Sequence, residues 1–224
     1  MPELSLVQKI IIWAVPVLFA ITVHEVAHGW VALRFGDTTA QQAGRLTLNP
    51  IRHIDPIGTI LVPGIMLALG GFLFGWAKPV PVNFMRLNAP KRDMVYVAIA
   101  GPATNLAMAF IWGMLGYLAY YLPIVIAKPL LFMSVAGIYI NAILMFVNLI
   151  PLPPLDGGRV AVGLLPDKAA RAYSQVEPYG LFIMIALLAS GMLGAILWPP
   201  LAAFVSFMSS LFSIPVGQLI GQIM

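Results

Sequence analysis

The chain has 224 residues, of which 61% are hydrophobic and 9% charged, with a mean hydropathy of +0.95. A soluble domain carries about 25% charged residues, so a soluble globular protein is excluded and an integral membrane protein is expected. The net charge of +4 reads as topogenic lysine and arginine, not as a nucleic-acid surface; the absence of cysteine removes disulfides, thiolate metal ligands and cysteine nucleophiles.

Residues 10–33 predict a first transmembrane helix, kept as a permanent span because no small-residue cleavage site follows the apolar run. From Arg34 to Pro56 the chain is more polar, with two prolines and little helical period, and reads as a loop. Ile57 to Trp76 is apolar again but broken by Gly58, Pro63, Gly64, Gly70, Gly71 and Gly75. Lys78–Asn83 then predicts an edge strand or extended stretch. Val95–Leu122 is the next strong span, followed by a turn over Pro123–Pro129 and a further span from Leu130 to Val147. Pro151, Pro153 and Pro154 cannot continue a helix, so the segment before Asp156 must leave it. After a polar connection holding Asp167, Lys168, Arg171 and Glu177, residues 178–223 are long enough for two spans, expected to break near Pro199–Pro200. The expected fold is an all-α polytopic membrane protein of about five transmembrane helices, with a re-entrant segment and short extended strands. It reads as one membrane-embedded domain over 1–224, with a core at about 10–165 and C-terminal helices at 178–223, without repeats or an appended soluble domain.

Inside the first span lies His24-Glu25-Val26-Ala27-His28. Histidines four residues apart project from one helix face and can share a metal ion, while the glutamate beside them can take a proton from water without being a ligand. Two imidazoles and a carboxylate in an apolar span are costly unless something repays their burial, which favours a metal site over polar residues satisfied by neighbours. With no thiolate available, a zinc ion needs a third nitrogen or oxygen ligand. On chemistry alone His53 and Asp156 lead, although His53 also reads as a polar loop residue and bare Asp-Gly-Gly also reads as a helix N-cap.

The His24–His28 motif, Gly101-Pro102-Ala103-Thr104-Asn105, and Asn148 through Pro151-Leu152-Pro153-Pro154-Leu155 to Asp156-Gly157-Gly158 follow in an order that resembles the site-2 protease family of intramembrane zinc metalloproteases. The resemblance covers about residues 20–165. It implies zinc ligands His24, His28 and Asp156, Glu25 as general base, and Asn148 as a group that positions or polarises substrate. It implies no firm role for His53, for which a contact to a ligand or to substrate is the expectation. Larger members carry a PDZ domain between the motifs and a C-terminal CBS domain, which this chain lacks; capture or regulation through them is not expected.

If Ile57–Trp76 is re-entrant, ten of the twelve lysines and arginines share one side, with Lys9 and Lys128 opposite. The positive-inside rule makes the ten-residue side cytoplasmic. His28 precedes Arg34 by six residues, roughly 9 Å of helix rise, so the metal would be submerged yet near cytoplasmic water. The expected partners are the lipid bilayer and a membrane protein substrate with a transmembrane helix, in a prokaryotic plasma membrane, and no nucleic acid. The competing readings are a divalent-metal transporter and an inactive substrate-binding scaffold.

Overall fold

The computed structural model describes residues 4–61 and 78–224. Its described residues are helical and irregular, without strands, and five stretches are long and apolar enough to cross a membrane. Helix α1 spans Leu6–Arg34; Ser5 and Gln8 form a capping box that fixes its start. A single short turn of helix, α2 (Thr39–Gln42), follows before the chain reaches a 3-10 turn at Pro50–His53 and a π-helical turn at Pro56–Leu61. The re-entrant segment expected over Ile57–Trp76 lies, beyond Leu61, outside the described residues.

Helix α3 spans Pro90–Ala119, with proline in its first turn and the Asp93 carboxylate accepting the Ala89 N–H at 2.7 Å. Helix α4 spans Ile124–Asn148. The turn between them is shorter than expected, because Pro129 lies inside α4: its missing donor frees only the carbonyl of Val125, a residue 82% exposed. His28 of α1 meets Val97 of α3, and His24 meets Asn105. The earlier residue thus faces the later one, so α1 and α3 run antiparallel. The flanks of the residues between them are also joined, by the Lys78 N–H donating to the His53 carbonyl at 2.9 Å.

Small residues bring α3 and α4 close. A Cβ on Gly116 would lie 2.9 Å from Ser134 Cβ, and Gly137 lies flat against the Trp112 ring. Gly113 is likewise filled by Phe212, so these glycines serve packing within the chain. Ile12, Phe132, Val135, Ile138, Met208 and Ile214 form the main buried cluster, joining the beginning of α1 to α4 and the C-terminal helices. The outward faces remain apolar, as at Phe19, Ile111, Phe182 and Phe207, each more than half exposed and suited to lipid.

The C-terminal third departs from expectation in two places. The polar connection is helical, as α5 (Asp156–Leu164) and α6 (Asp167–Ser174), and α6 leads through a 3-10 turn into α7 (Gly180–Ala189). The final spans separate at Ser190–Gly191, where Gly191 has φ +75°, and not at Pro199–Pro200. Those prolines lie within α8 (Met192–Phe212): they delete two N–H donors, but a helix already flanked by apolar surroundings continues past them. A left-handed residue reverses the backbone direction more sharply than a missing hydrogen bond does. Helix α9 (Val216–Ile223) closes the chain.

Of the edge strand or extended stretch expected at Lys78–Asn83, the strand does not form: these residues have no regular secondary structure and no pairing strand among the described residues. Buried charges from the loop after α1 hold them instead. Arg45 donates to the Lys78 carbonyl at 2.8 Å, and Asp37 accepts the Asn83 N–H at 2.7 Å as well as the Thr39 N–H at 3.0 Å. Burial opposes ionisation of Asp37, but the Thr39 hydroxyl, these two amides and nearby Arg86 outweigh it and hold its carboxyl below the usual range. A depressed folded-state value contributes stability above the unfolded-state pKa of about 3.9 and loses it as pH falls through the folded value. Thermal unfolding in detergent should therefore show Asp37→Asn less stable than wild type at pH 7. The gap should narrow as the pH drops below about 4.

Candidate active site

Helical spacing puts the His24 and His28 rings one turn apart on the face of α1 that meets α3. The rings pack edge to face with centroids 4.7 Å apart, and their Nε2 atoms approach to 3.1 Å. Asp156 reaches them from the first residue of α5; its Oδ2 lies 3.3 Å from each Nε2. A carboxylate there also complements the positive end of α5. His24, His28 and Asp156 are the one group of three such residues, among those described, whose donor atoms all lie within 4.8 Å.

The turn carrying Asp156 is drawn tight by glycine. A Cβ on Gly157 would fall 2.5 Å from the Ile150 carbonyl oxygen, and one on Gly158 would fall 2.5 Å from the Leu152 carbonyl carbon. Both obstacles are backbone, which cannot rotate aside. The Tyr173 hydroxyl donates to the Pro151 carbonyl and ties the same turn to α6. Gly158→Ala should thus displace Asp156 and destabilise the protein by roughly 1–3 kcal/mol, the usual cost of overpacking. Chemical denaturation in detergent with a parallel zinc determination would read both effects.

Glu25 projects from the same helix but is not part of the cluster. Its Oε2 accepts the Val80 N–H at 2.7 Å, and Gly29 one turn later leaves room for the Val80 side chain. Asn148, at the end of α4, donates its amide to the Leu144 carbonyl at 2.9 Å. His53 is 2% exposed and lies apart from the cluster; its Nε2 is 2.9 Å from the Thr47 carbonyl, to which it must donate. The structure thus brings Asp156, and not His53, to the two motif histidines.

The Gly101–Asn105 run, given above only as a family motif, holds two further features that the sequence did not assign. Asn105 Oδ1 hydrogen-bonds His24 Nδ1, and Asn105 in turn meets Asn141 at 2.9 Å, both asparagines being fully buried. The available signal was a pair of amides inside strongly apolar spans, which are costly there unless they have a partner. Gly101 is the second: a Cβ there would lie 2.5 Å from His28 Nε2 and 2.6 Å from His24 Nε2.

These residues fit a zinc ion. The Val97 carbonyl, 2.7 Å from His28 Nδ1, can only accept, so that nitrogen carries the proton and His28 Nε2 presents a lone pair to the cluster. Asp156 Oδ2 is buried and has no hydrogen-bond partner. Acceptors thus converge from His28 and Asp156 beside the His24 ring, and Gly101 leaves the adjoining space free. Two nitrogens and one carboxylate oxygen match the ligand types and number of a catalytic zinc site that keeps a position open.

Residues 124–191 match peptidase family M50. The chain is 41% identical over 215 residues to YwhC of Bacillus subtilis (strain 168), a proposed zinc metalloprotease, covering 94% of this chain and 93% of that one. Rip2 of Mycolicibacterium smegmatis, also a proposed zinc metalloprotease, is 31% identical over 174 residues, 76% of this chain and 64% of its own. Rip2 of Mycobacterium tuberculosis (strain H37Rv) is similar at 31% over 180 residues, 76% of this chain and 63% of its own. No solved structure matches the chain significantly. With a relative of this identity aligned along almost its whole length, and with the three motifs in family order, the chain belongs to peptidase family M50, the site-2 protease family.

Proposed function

We propose that this chain is an intramembrane zinc metalloendopeptidase that hydrolyses peptide bonds in or near transmembrane segments of membrane proteins. The observation that carries the reading is the convergence of His24, His28 and Asp156 beside Glu25, in a chain with five apolar spans among its described residues. His24 and His28 through Nε2, and Asp156 through its carboxylate, would hold the metal. When bound, zinc supplies Lewis acidity that polarises a carbonyl and lowers the pKa of water to roughly 7.

Glu25 is the proton carrier in this reading. Its Oε2 is held by the Val80 N–H, which leaves Oε1 to take the proton of the attacking water and return it to the leaving amine. Asn148 would orient the scissile carbonyl by exchanging its bond to Leu144 for one to substrate. The 78–83 stretch lies beside the base, where an unwound substrate must pass. Pro79 and Pro81 have no N–H and that of Val80 is committed to Glu25, so this stretch would offer substrate carbonyl acceptors more than donors. His53, bonded to Thr47 and through its carbonyl to Lys78, acts in this reading by pinning that stretch.

The antiparallel course of α1 and α3 supports the same-side return that a re-entrant 57–76 segment requires. With the positive-inside rule, that side is cytoplasmic and water reaches the site past the polar 34–56 loop. The membrane is a prokaryotic plasma membrane, and 1–224 acts as one catalytic domain.

Reconstitution with a single-span model substrate tests the reading. Cleavage in or near the span is expected, with no metal transfer across the vesicle. Zinc flux without cleavage would overturn it in favour of a transporter.

A further inference from the structure

The hydrogen bonds behind His24 form a directed chain that begins at a backbone carbonyl. Asn141 reaches the Gly137 carbonyl at 2.8 Å, and a carbonyl only accepts, so the amide nitrogen of Asn141 must face it. That turns the Asn141 carbonyl oxygen toward Asn105, which must answer with its own amide nitrogen at 2.9 Å. The Asn105 oxygen is then left facing His24 Nδ1. An oxygen without a proton requires Nδ1–H, and so leaves the lone pair of His24 on Nε2, pointing into the cluster. The direction of every link follows from the Gly137 carbonyl, and none depends on which end of either amide is named oxygen.

We propose that Asn105 and Asn141 are positioning residues that lock His24 in its Nδ1–H tautomer and thereby set the affinity of the site for zinc. Asn141 does so through Asn105, its own hydrogen bonds going to Asn105 and the Gly137 carbonyl. Both residues are fully buried, so no water competes for their amides, and neither amide titrates, so the lock holds across pH. His28 needs no relay, because the Val97 carbonyl makes the same demand directly. Cutting the chain at Asn141 frees Asn105 to turn its amide nitrogen toward His24, which would then favour Nε2–H and withdraw a ligand. The proposal rests on the metal-site reading given above.

The chain has three histidines, so histidine-15N NMR of the full-length apo protein in detergent can resolve each tautomer, assigned by single His→Gln variants. Wild type should show Nδ1–H for His24 and His28, and Nε2–H for His53, which donates to Thr47. Asn141→Leu should shift His24 alone toward Nε2–H and weaken zinc binding about 10–100-fold in competition with a chelator. Asn105→Asp, which keeps an acceptor toward His24, should hold the Nδ1–H tautomer. If Asn141→Leu does not fold, Asn141→Ser replaces it: its hydroxyl can satisfy Gly137 while being too short for Asn105, and the same shift is expected. An unchanged His24 tautomer together with unchanged zinc affinity in the folded variant overturns the relay. A wild-type protein that binds no zinc, with His24 still Nδ1–H, overturns the metal-site reading and the affinity claim but leaves the tautomer lock standing.

Discussion

Gly101→Ala should weaken zinc binding by about 10–100-fold and lower peptidase activity with it, although the change is one methyl group. In the interior of a helix, alanine is ordinarily favoured over glycine by roughly 0.5–1 kcal/mol, so α3 itself should gain. The added Cβ, however, would lie 2.5–2.6 Å from the Nε2 atoms of His24 and His28. Neither ring can retreat freely, because His24 is bonded to Asn105 and His28 to the Val97 carbonyl. The methyl group would therefore take space that a zinc ion held by these residues needs, and any accommodation moves the imidazoles apart. The expected signature is lost zinc with little loss of fold, read by metal analysis and thermal unfolding on the same preparation. A Gly101→Ala protein that keeps full zinc affinity would contradict the packing of α3 on the motif.

Glu25→Gln should lower turnover by about 10²–10⁴-fold, the range for a lost general acid–base, with zinc content and KM little changed. The amide is isosteric and its oxygen still accepts from Val80, so the 78–83 stretch stays in place while the proton-accepting oxygen is lost. Glu25→Ala removes both functions and should in addition lower thermal stability. The contrast separates chemistry from support: if both variants lose the same activity with the same unfolding temperature, the Val80 contact does not hold the stretch.

Different parts of this site were legible in the sequence to different degrees, for physical reasons. His24 and His28 follow from local geometry alone, since i and i+4 share a helix face. Asp156 on residue chemistry alone was not separable from His53, because the choice depends on which loop returns to α1. Only the family resemblance selected Asp156, and the tight turn at Gly157 and Gly158 shows how it reaches α1. Asn105 and Asn141 were readable in principle as amides in apolar spans, but their direction requires a partner carbonyl that no spacing rule supplies. The spans themselves were legible from hydropathy, whereas their ends were not. Proline was overvalued at 129 and at 199–200, where a helix already begun continues past it, and glycine was undervalued at 191, where a positive φ makes the break. At 78–83 the alternation of proline and valine suggested an edge strand or extended stretch. Side chains of Arg45, Glu25 and Asp37 satisfy that backbone in place of a neighbouring strand.

The most direct test of the central claim is to measure zinc content and cleavage of a single-span substrate on one purified sample, before chelation, after it, and after zinc is restored. About one zinc per chain is expected, with cleavage that falls and returns in proportion to occupancy. Cleavage that persists undiminished after complete removal of the metal would contradict it.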